Sequence, residues 1–420
     1  MLALEELRTA TDNFDRGREI GSGGFGKVFS ADSMPSLSPQ SWPEKLRHAR
    51  LAVKRANQGI EAVDLQTEID ILNVAAHAHL LPLFGYCLDA AVLCLVFPLM
   101  AGGSLQAQLD LKPRDVACLL AMGHFETAPR PLTWRQKLRA VLQASEALLY
   151  LHTPDERKPL TLHRDFKPAN ILMDPSLHAY LGDTGFAKAA HRSGDASRRA
   201  TTGRIMCSPG YADEDVVNGR YSESSDGFAV GRTLLVVLTQ RDPVDIEDAI
   251  ADEHDAIAFA DVAAEKLAEP GAGWPLTVAA EIKELYTGLC LMRKKHRLPL
   301  AHVVQRLTSV LQADAPPAVQ QDDVEAPFGT RLTAPQAPQD AAASQAAAAL
   351  PAQTPLSVQV RGLRGAEAPE QSVKRNVGDA FDLYMRRLEC LFESNRAGAA
   401  ARRPTSWSAS TTTSCWLTDE

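Results

Sequence analysis

His163-Arg164-Asp165-Phe166-Lys167-Pro168-Ala169-Asn170, with Leu181-Gly182-Asp183-Thr184-Gly185 after a short hairpin-like interval, is the stretch on which the reading of this chain turns. It matches H-R-D-x-x-x-x-N and then brings a second carboxylate. Transfer of a phosphoryl group needs few protein groups. One carboxylate must orient an acceptor hydroxyl and take its proton, and hard oxygen ligands must hold magnesium on the β and γ phosphates. Asp165 suits the first task, Asn170 and Asp183 the second. Lys167 can neutralise charge that develops on the transferred group.

Upstream, Gly21-Ser22-Gly23-Gly24-Phe25-Gly26-Lys27-Val28 fits G-x-G-x-x-G-x-V. Dinucleotide-binding folds use nearly the same spacing, and an ordinary glycine-rich turn can carry it too. A dinucleotide fold requires a helix straight after the glycines. Here Lys27-Val28-Phe29-Ser30-Ala31 is β-branched and aromatic and returns as a strand, which favours a glycine-rich hairpin lying over phosphates. Leu51-Ala52-Val53-Lys54 then sets a lysine at the end of an apolar run that should be a buried strand, and a buried ammonium is costly unless paired. Its natural partner is Glu68 in DLQTEIDIL, where Leu65, Ile69 and Leu72 mark the apolar face. Lys54 bridging that carboxylate and the α and β phosphates of a nucleotide meets both needs.

Strand signals dominate the start of the chain: through Glu19 and Ile20, from Lys27 to Ala31, from Arg50 to Arg55, and from Leu93 to Phe97. Helical periodicity dominates from Trp134, where LTWRQKLRAVLQASEALLYLH spaces Leu138, Val141, Leu142, Leu148 and Leu149 as a central buried helix would. Segregated elements of this kind predict an α+β class.

The 420 residues carry 52 acidic side chains against 44 Lys and Arg, a net charge of −8, which argues against a nucleic-acid partner. Apolar residues at 45% and charged residues at 23% suffice for at least one sizeable core. No run approaches the roughly 18 apolar residues of a bilayer-spanning helix. The start, MLALEELRTATDNF, has acids where a secretory signal needs a basic opening, so a cytoplasmic location is expected, with recruitment to a membrane through a partner left open. Seven scattered cysteines without a C-x-x-C read as reduced thiols. Beyond residue 312 the chain turns to Pro, Ala, Gln and Ser, a composition expected to remain a disordered tail. Within it Phe381, Tyr384, Met385, Leu388, Leu391 and Phe392 share one helical face over 378–394. That helix either docks a partner or folds back on the domain.

The chain resembles the eukaryotic protein kinases, and within them the Pelle, interleukin-receptor-associated and plant receptor-like kinase group. EELRTATDNFDRGREIGSGGFGKVF is similar to that group's entry segment, LCLVFPLMAGGSL to its hinge, HRDFKPANILMD to its catalytic loop and GRYSESSDGFAVGRTLLVVLTQRDP to its central C-lobe helix. The resemblance implies a two-lobed fold: an N-terminal helical extension over 1–13, an N-lobe over about 14–97, a hinge at 98–100, a C-lobe over 101–311 and the tail over 312–420. It implies ATP and Mg2+ as cofactors, a protein substrate accepting on serine or threonine, and an upstream receptor or kinase. ATP would lie against Ile20, Gly21, Ser22, Gly23, Gly24, Phe25, Gly26 and Lys54, with Val28 and Ala52 sandwiching the adenine. Phe97 would be the gatekeeper, and the Pro98 carbonyl and Met100 N–H would hydrogen-bond the base. Asp226 would organise the catalytic-loop backbone, and Arg297 would be the buried partner of Glu214. Arg164 beside the base implies control by a phosphate on the activation loop, for which Thr201 and Thr202 are the acceptors expected.

Several positions depart from the group's pattern. Thr184 stands in place of phenylalanine, so the stack through Leu72 and His163 is expected to lose apolar area. Ala212-Asp213-Glu214 replaces Ala-Pro-Glu, and Gly227 follows Asp226 where a bulkier residue is usual. Insertions at about 34–48 and 112–131 fall where surface loops are expected. Every charged catalytic group is present, which favours an active serine/threonine kinase over the alternative, an ATP-binding pseudokinase or scaffold.

Overall fold

A computed structural model of the chain describes residues 1–23, 25–123, 130–189, 198–199, 207–244, 246–253 and 262–313. Gly24, Thr201, Thr202 and the expected tail beyond residue 313, with its helix, lie outside the described residues; residues 312–313, expected in the tail, end the last helix of the domain.

The first lobe runs α1 (Leu4–Ala10), β1 (Glu19–Ser22), β2 (Gly26–Ala31), β3 (Leu51–Ala56), α2 (Ala62–Val74), β4 (Gly85–Asp89) and β5 (Val92–Pro98). The strands form one antiparallel sheet in the order β1-β2-β3-β5-β4. Its register pairs Val28 with Lys54, Ala52 with Phe97, and Lys54 with Leu95. Side chains alternate between faces along a strand, so Val28, Ala52, Lys54 and Phe97 share one face. Val53, Cys94 and Val96 take the other, where Leu2 and Leu7 cover them. At Gly26 an added Cβ would stand 2.1 Å from the Arg55 carbonyl oxygen, so the β2–β3 approach admits only glycine there.

The second lobe continues with β6 (Gly103–Ser104), α3 (Leu105–Asp110), α4 (Pro113–Ala121), α5 (Trp134–His152), β7 (Thr161–Leu162), β8 (Ile171–Met173), β9 (Ala179–Leu181), β10 (Lys188–Ala189), β11 (Arg198–Arg199), α6 (Glu214–Val217), β12 (Arg220–Tyr221), α7 (Glu223–Thr239), α8 (Ile246–Glu253), α9 (Ala264–Leu267), α10 (Leu276–Leu289) and α11 (Leu300–Ala313). Helix α5 starts at a capping box: the Thr133 hydroxyl accepts from the Gln136 N–H, and the Gln136 side chain accepts from the Thr133 N–H. Its Leu138, Val141, Leu148 and Leu151 are fully buried against α7 and α11, forming the principal core. At Gly231 an added Cβ would meet Cys290 Sγ at 2.8 Å and Leu289 Cβ at 2.9 Å, so α10 rides directly on α7. Gly227, by contrast, would meet only Leu289 Cδ2 at an ordinary 3.6 Å, and its position does not need a glycine for space.

Among the described residues, both insertions carry side chains packed into the domain. In the first, Met34 and Leu46 are buried, the Trp42 ring stacks on Phe84 at 3.9 Å, and the Ser36 N–H donates to Glu6 Oε1 at 2.8 Å. The second contains α4, whose Leu119 is buried. Both are held by apolar residues too widely spaced among polar ones to resemble a core element in the sequence. Among the described residues no helix is long and apolar enough to cross a membrane.

Candidate active site

Asp226, near the start of α7, fixes the backbone of the H-R-D segment. Its carboxylate accepts from the His163 N–H at 2.9 Å and the Arg164 N–H at 2.8 Å, and contacts His152 Nε2 at 2.8 Å. Burial alone would raise its pKa, but the bond to His152 and the neighbouring charges and N–H groups outweigh this and hold the carboxyl below its usual range. Arg164 has φ 70°, a left-handed conformation that costs a non-glycine residue roughly 1–2 kcal/mol. The bond to Asp226 offsets that cost. His152 is not legible as a site residue in the sequence, because it lies 74 residues from Asp226 and no local spacing connects them.

Held this way, Asp165 is buried and surrounded by donors. Lys167 Nζ lies 2.7 Å from its Oδ2, Asn170 Nδ2 donates to the same oxygen at 2.8 Å, and the Ser208 hydroxyl donates to Oδ1 at 2.6 Å. Lys167 also reaches Ser208 Oγ at 2.7 Å, closing a ring of three side chains. The catalytic loop is tied to the strand before Asp183 through Gly182, whose N–H donates to the Asn170 carbonyl at 2.9 Å and whose carbonyl contacts His163 Nε2 at 3.1 Å. Asp183 follows in a left-handed conformation, φ 55°.

On the sheet side, Lys54 Nζ lies 2.6 Å from Asp183 Oδ1 and 3.5 Å from Glu68 Oε2. Burial alone would lower the lysine's pKa, but the two carboxylates outweigh it and keep the group above the usual lysine range. Burial pushes Glu68 up, with Lys54 only partly offsetting it. Asp183 is held down by Lys54 against the opposing effect of burial. The Phe25 ring, at the tip of the β1–β2 hairpin, sits 5.4 Å from Lys54 Nζ. Gly23 and Gly26 exchange backbone hydrogen bonds at 2.9 and 3.3 Å, which makes the loop a tight hairpin with Gly21 and Ser22 opposite Val28 and Lys27.

Thr184 does more than remove an aromatic. It is 2% exposed, and its hydroxyl donates to Glu68 Oε1 at 3.4 Å, tying the Asp183 segment to α2. Thr184→Val keeps the shape and deletes the donor. It is expected to lower stability by about 1 kcal/mol, the net worth of one such bond, as a shift in the urea midpoint; an unchanged midpoint would show that the hydroxyl contributes nothing.

At the end of β5, the Leu99 N–H donates to the Arg50 carbonyl at 2.6 Å, and the Met100 carbonyl accepts from the Gly103 N–H at 2.9 Å. Phe97, Met100 and Ala52 are buried. Ala52 shares an apolar cluster with Ile20, Val28 and two side chains of the second insertion, Leu119 and Met122.

One expected pair is corrected. Arg297 does not meet Glu214, which is exposed; its Nη1 lies 2.6 Å from Asp213 Oδ2, and both side chains of that pair are buried. Asp213 also caps α6, its Oδ1 accepting from the Val216 N–H at 2.9 Å. In the Ala212-Asp213-Glu214 segment the aspartate reaches the arginine, and the glutamate stays in the first turn of α6, facing solvent.

A profile of the family described as protein tyrosine and serine/threonine kinase matches residues 14–306. Among curated proteins, the chain is 31% identical to the receptor protein kinase WSS1 of Oryza sativa subsp. japonica over 77% of this chain and 34% of the relative. It is 32% identical to the proline-rich receptor-like protein kinase PERK15 of Arabidopsis thaliana over 62% of this chain and 45% of the relative. It is 34% identical to the probable serine/threonine-protein kinase PBL11 of Arabidopsis thaliana, over 61% of each chain. The chain thus spans between a third and three-fifths of the length of these relatives.

Proposed function

The chain belongs to the protein tyrosine and serine/threonine kinase family, and from that premise we propose that it transfers the γ-phosphoryl group of Mg-ATP to serine or threonine hydroxyls of a protein substrate. The observation that carries the reading is the buried Asp165 carboxylate ringed by Lys167, Asn170 and Ser208, joined through Gly182 to the Lys54–Asp183–Glu68 cluster. Asp165 would accept the substrate proton, and Lys167 would offset charge on the moving phosphoryl group. Lys54 would turn from Asp183 towards the α and β phosphates while keeping Glu68.

Magnesium fits the donor set. Asp183 supplies a carboxylate, and Asn170, whose amide N–H groups go to Asp165, keeps its carbonyl oxygen as a ligand. Mg2+ is commonly held by one or two such protein oxygens plus phosphates and water. When bound, the ion would neutralise charge on the phosphates. The Pro98 carbonyl and Met100 N–H would bind the adenine edge, and Val28 and Ala52 would lie on its face.

PBL11 is named a probable serine/threonine-protein kinase, and Lys167 placed between Asp165 and Ser208 favours the same acceptors here. Phosphoamino-acid analysis of protein labelled from γ-32P-ATP tests this: phosphoserine and phosphothreonine are expected, whereas phosphotyrosine alone, or no label, overturns it. Arg164 lies over the Tyr221 ring at 3.7 Å. Its charge favours regulation by phosphate on Thr201 or Thr202, so the Thr201→Ala/Thr202→Ala double variant is expected to lose most of its activity in the same assay, and full activity would count against that control.

A further inference from the structure

Helix α4 is not accounted for by the catalytic machinery, yet its inward face reaches the nucleotide site. Cys118, Leu119 and Met122 follow helical spacing. Leu119 is 1% exposed and Met122 8%, while Leu120 between them is 39% exposed. The inward pair belongs to the same apolar cluster as Val28 and Ala52, which are assigned to the faces of the adenine ring, and Ile20, which is assigned to the ATP site. Two further contacts seat the helix. Cys118 Sγ donates to the Ile20 carbonyl at 3.2 Å, immediately before the glycine loop. An added Cβ on Gly103, at the hinge exit, would lie 2.7 Å from Leu119 Cδ2, so Leu119 is pressed against the hinge.

Resting on the ATP-site reading, we propose that α4 is a gate in cis over the adenine slot: its Leu119–Met122 face docks on residues that the adenine needs, so docking of α4 and binding of nucleotide exclude one another. The helix is built to leave. At nine residues it is too short to be stable alone, so it holds its place through the apolar face it docks. Left-handed residues flank it, Leu111 at φ 44° before it and Gly123 at φ 80° after it. They offer pivots that leave α3, capped by Ser104, undisturbed. Each nucleotide bound must displace this face, so the apparent affinity is reduced by the fraction of molecules in which the gate is closed.

The test uses the full chain, with Mg·AMP-PNP titrated calorimetrically into the wild type and a Leu119→Asp/Met122→Asp variant. Opening the gate is expected to tighten binding about tenfold; Leu119→Ala, should the double variant misfold, is expected to shift affinity the same way by less. Alkylation of Cys118 by iodoacetamide, followed by peptide mass spectrometry, reads the helix directly. Burial pushes this thiol's pKa up, so it should react slowly when docked, faster when the wild type is saturated with nucleotide, and fast in the variant without nucleotide. Equal or weaker binding by the variant, or protection of Cys118 by nucleotide, would mark α4 as a fixed wall of the pocket and overturn the gate while leaving the ATP site intact. Binding by neither protein, with Cys118 freed in the variant, would overturn the ATP-site reading and the gate with it.

Discussion

Asp165→Asn is expected to reduce phosphoryl transfer by about 10²–10⁴-fold, the range that a positioned general base contributes. Nucleotide affinity should stay within about twofold, because the side chain acts on the acceptor hydroxyl and not on ATP. The amide keeps the size of the carboxylate and can still accept from Lys167 or Ser208, which now reach Oδ2 and Oδ1 at 2.7 and 2.6 Å. Its proton-accepting capacity is what disappears. Steady-state kinetics on a peptide substrate, paired with a melting curve, separates the two effects. A variant that transfers phosphate within tenfold of wild type while melting normally would remove Asp165 from the chemistry.

The second large effect concerns stability. Asp213→Ala should cost about 3–5 kcal/mol, the usual result of stripping one partner from a buried ion pair. It leaves the Arg297 guanidinium in a site where its Nη1 otherwise has only the Ser224 carbonyl, at 3.1 Å. The same change removes the cap of α6, worth about 1 kcal/mol in comparable cases. Glu214→Ala, one residue on, should stay within about 0.5 kcal/mol because that side chain is exposed. Urea unfolding of the two variants side by side decides which acid holds Arg297, and the reverse ranking would restore the glutamate.

That pair also marks where sequence reasoning runs out. Much of the N-lobe is legible because strand periodicity assigns faces unambiguously: once Lys54 lies on a strand, Val28, Ala52 and Phe97 share its side. Glu68 is legible because a buried lysine demands a carboxylate and α2 offers one on its apolar face. In Ala212-Asp213-Glu214, two acids stand side by side, and only the folded backbone decides which of them meets Arg297, which no periodicity encodes. Thr184 reads as a deleted aromatic, since its hydroxyl gains meaning only when folding brings Glu68, 116 residues away, within reach. Helix α4 is hidden for a related reason. Its inward face is only Cys118, Leu119 and Met122, too few apolar positions to announce a core element, and their partners Ile20 and Ala52 come from the other lobe.

The most direct test of the site is calorimetric titration of AMP-PNP into the full chain, with and without magnesium, for wild type, the Leu119→Asp/Met122→Asp variant and Asp183→Asn. Binding that strengthens with magnesium in the first two and loses that dependence in Asp183→Asn is the expected result. Nucleotide held equally well without the ion, or with Asp183 replaced, would contradict the assignment of Lys54, Asp165, Asn170 and Asp183 to a metal-assisted phosphoryl-transfer centre.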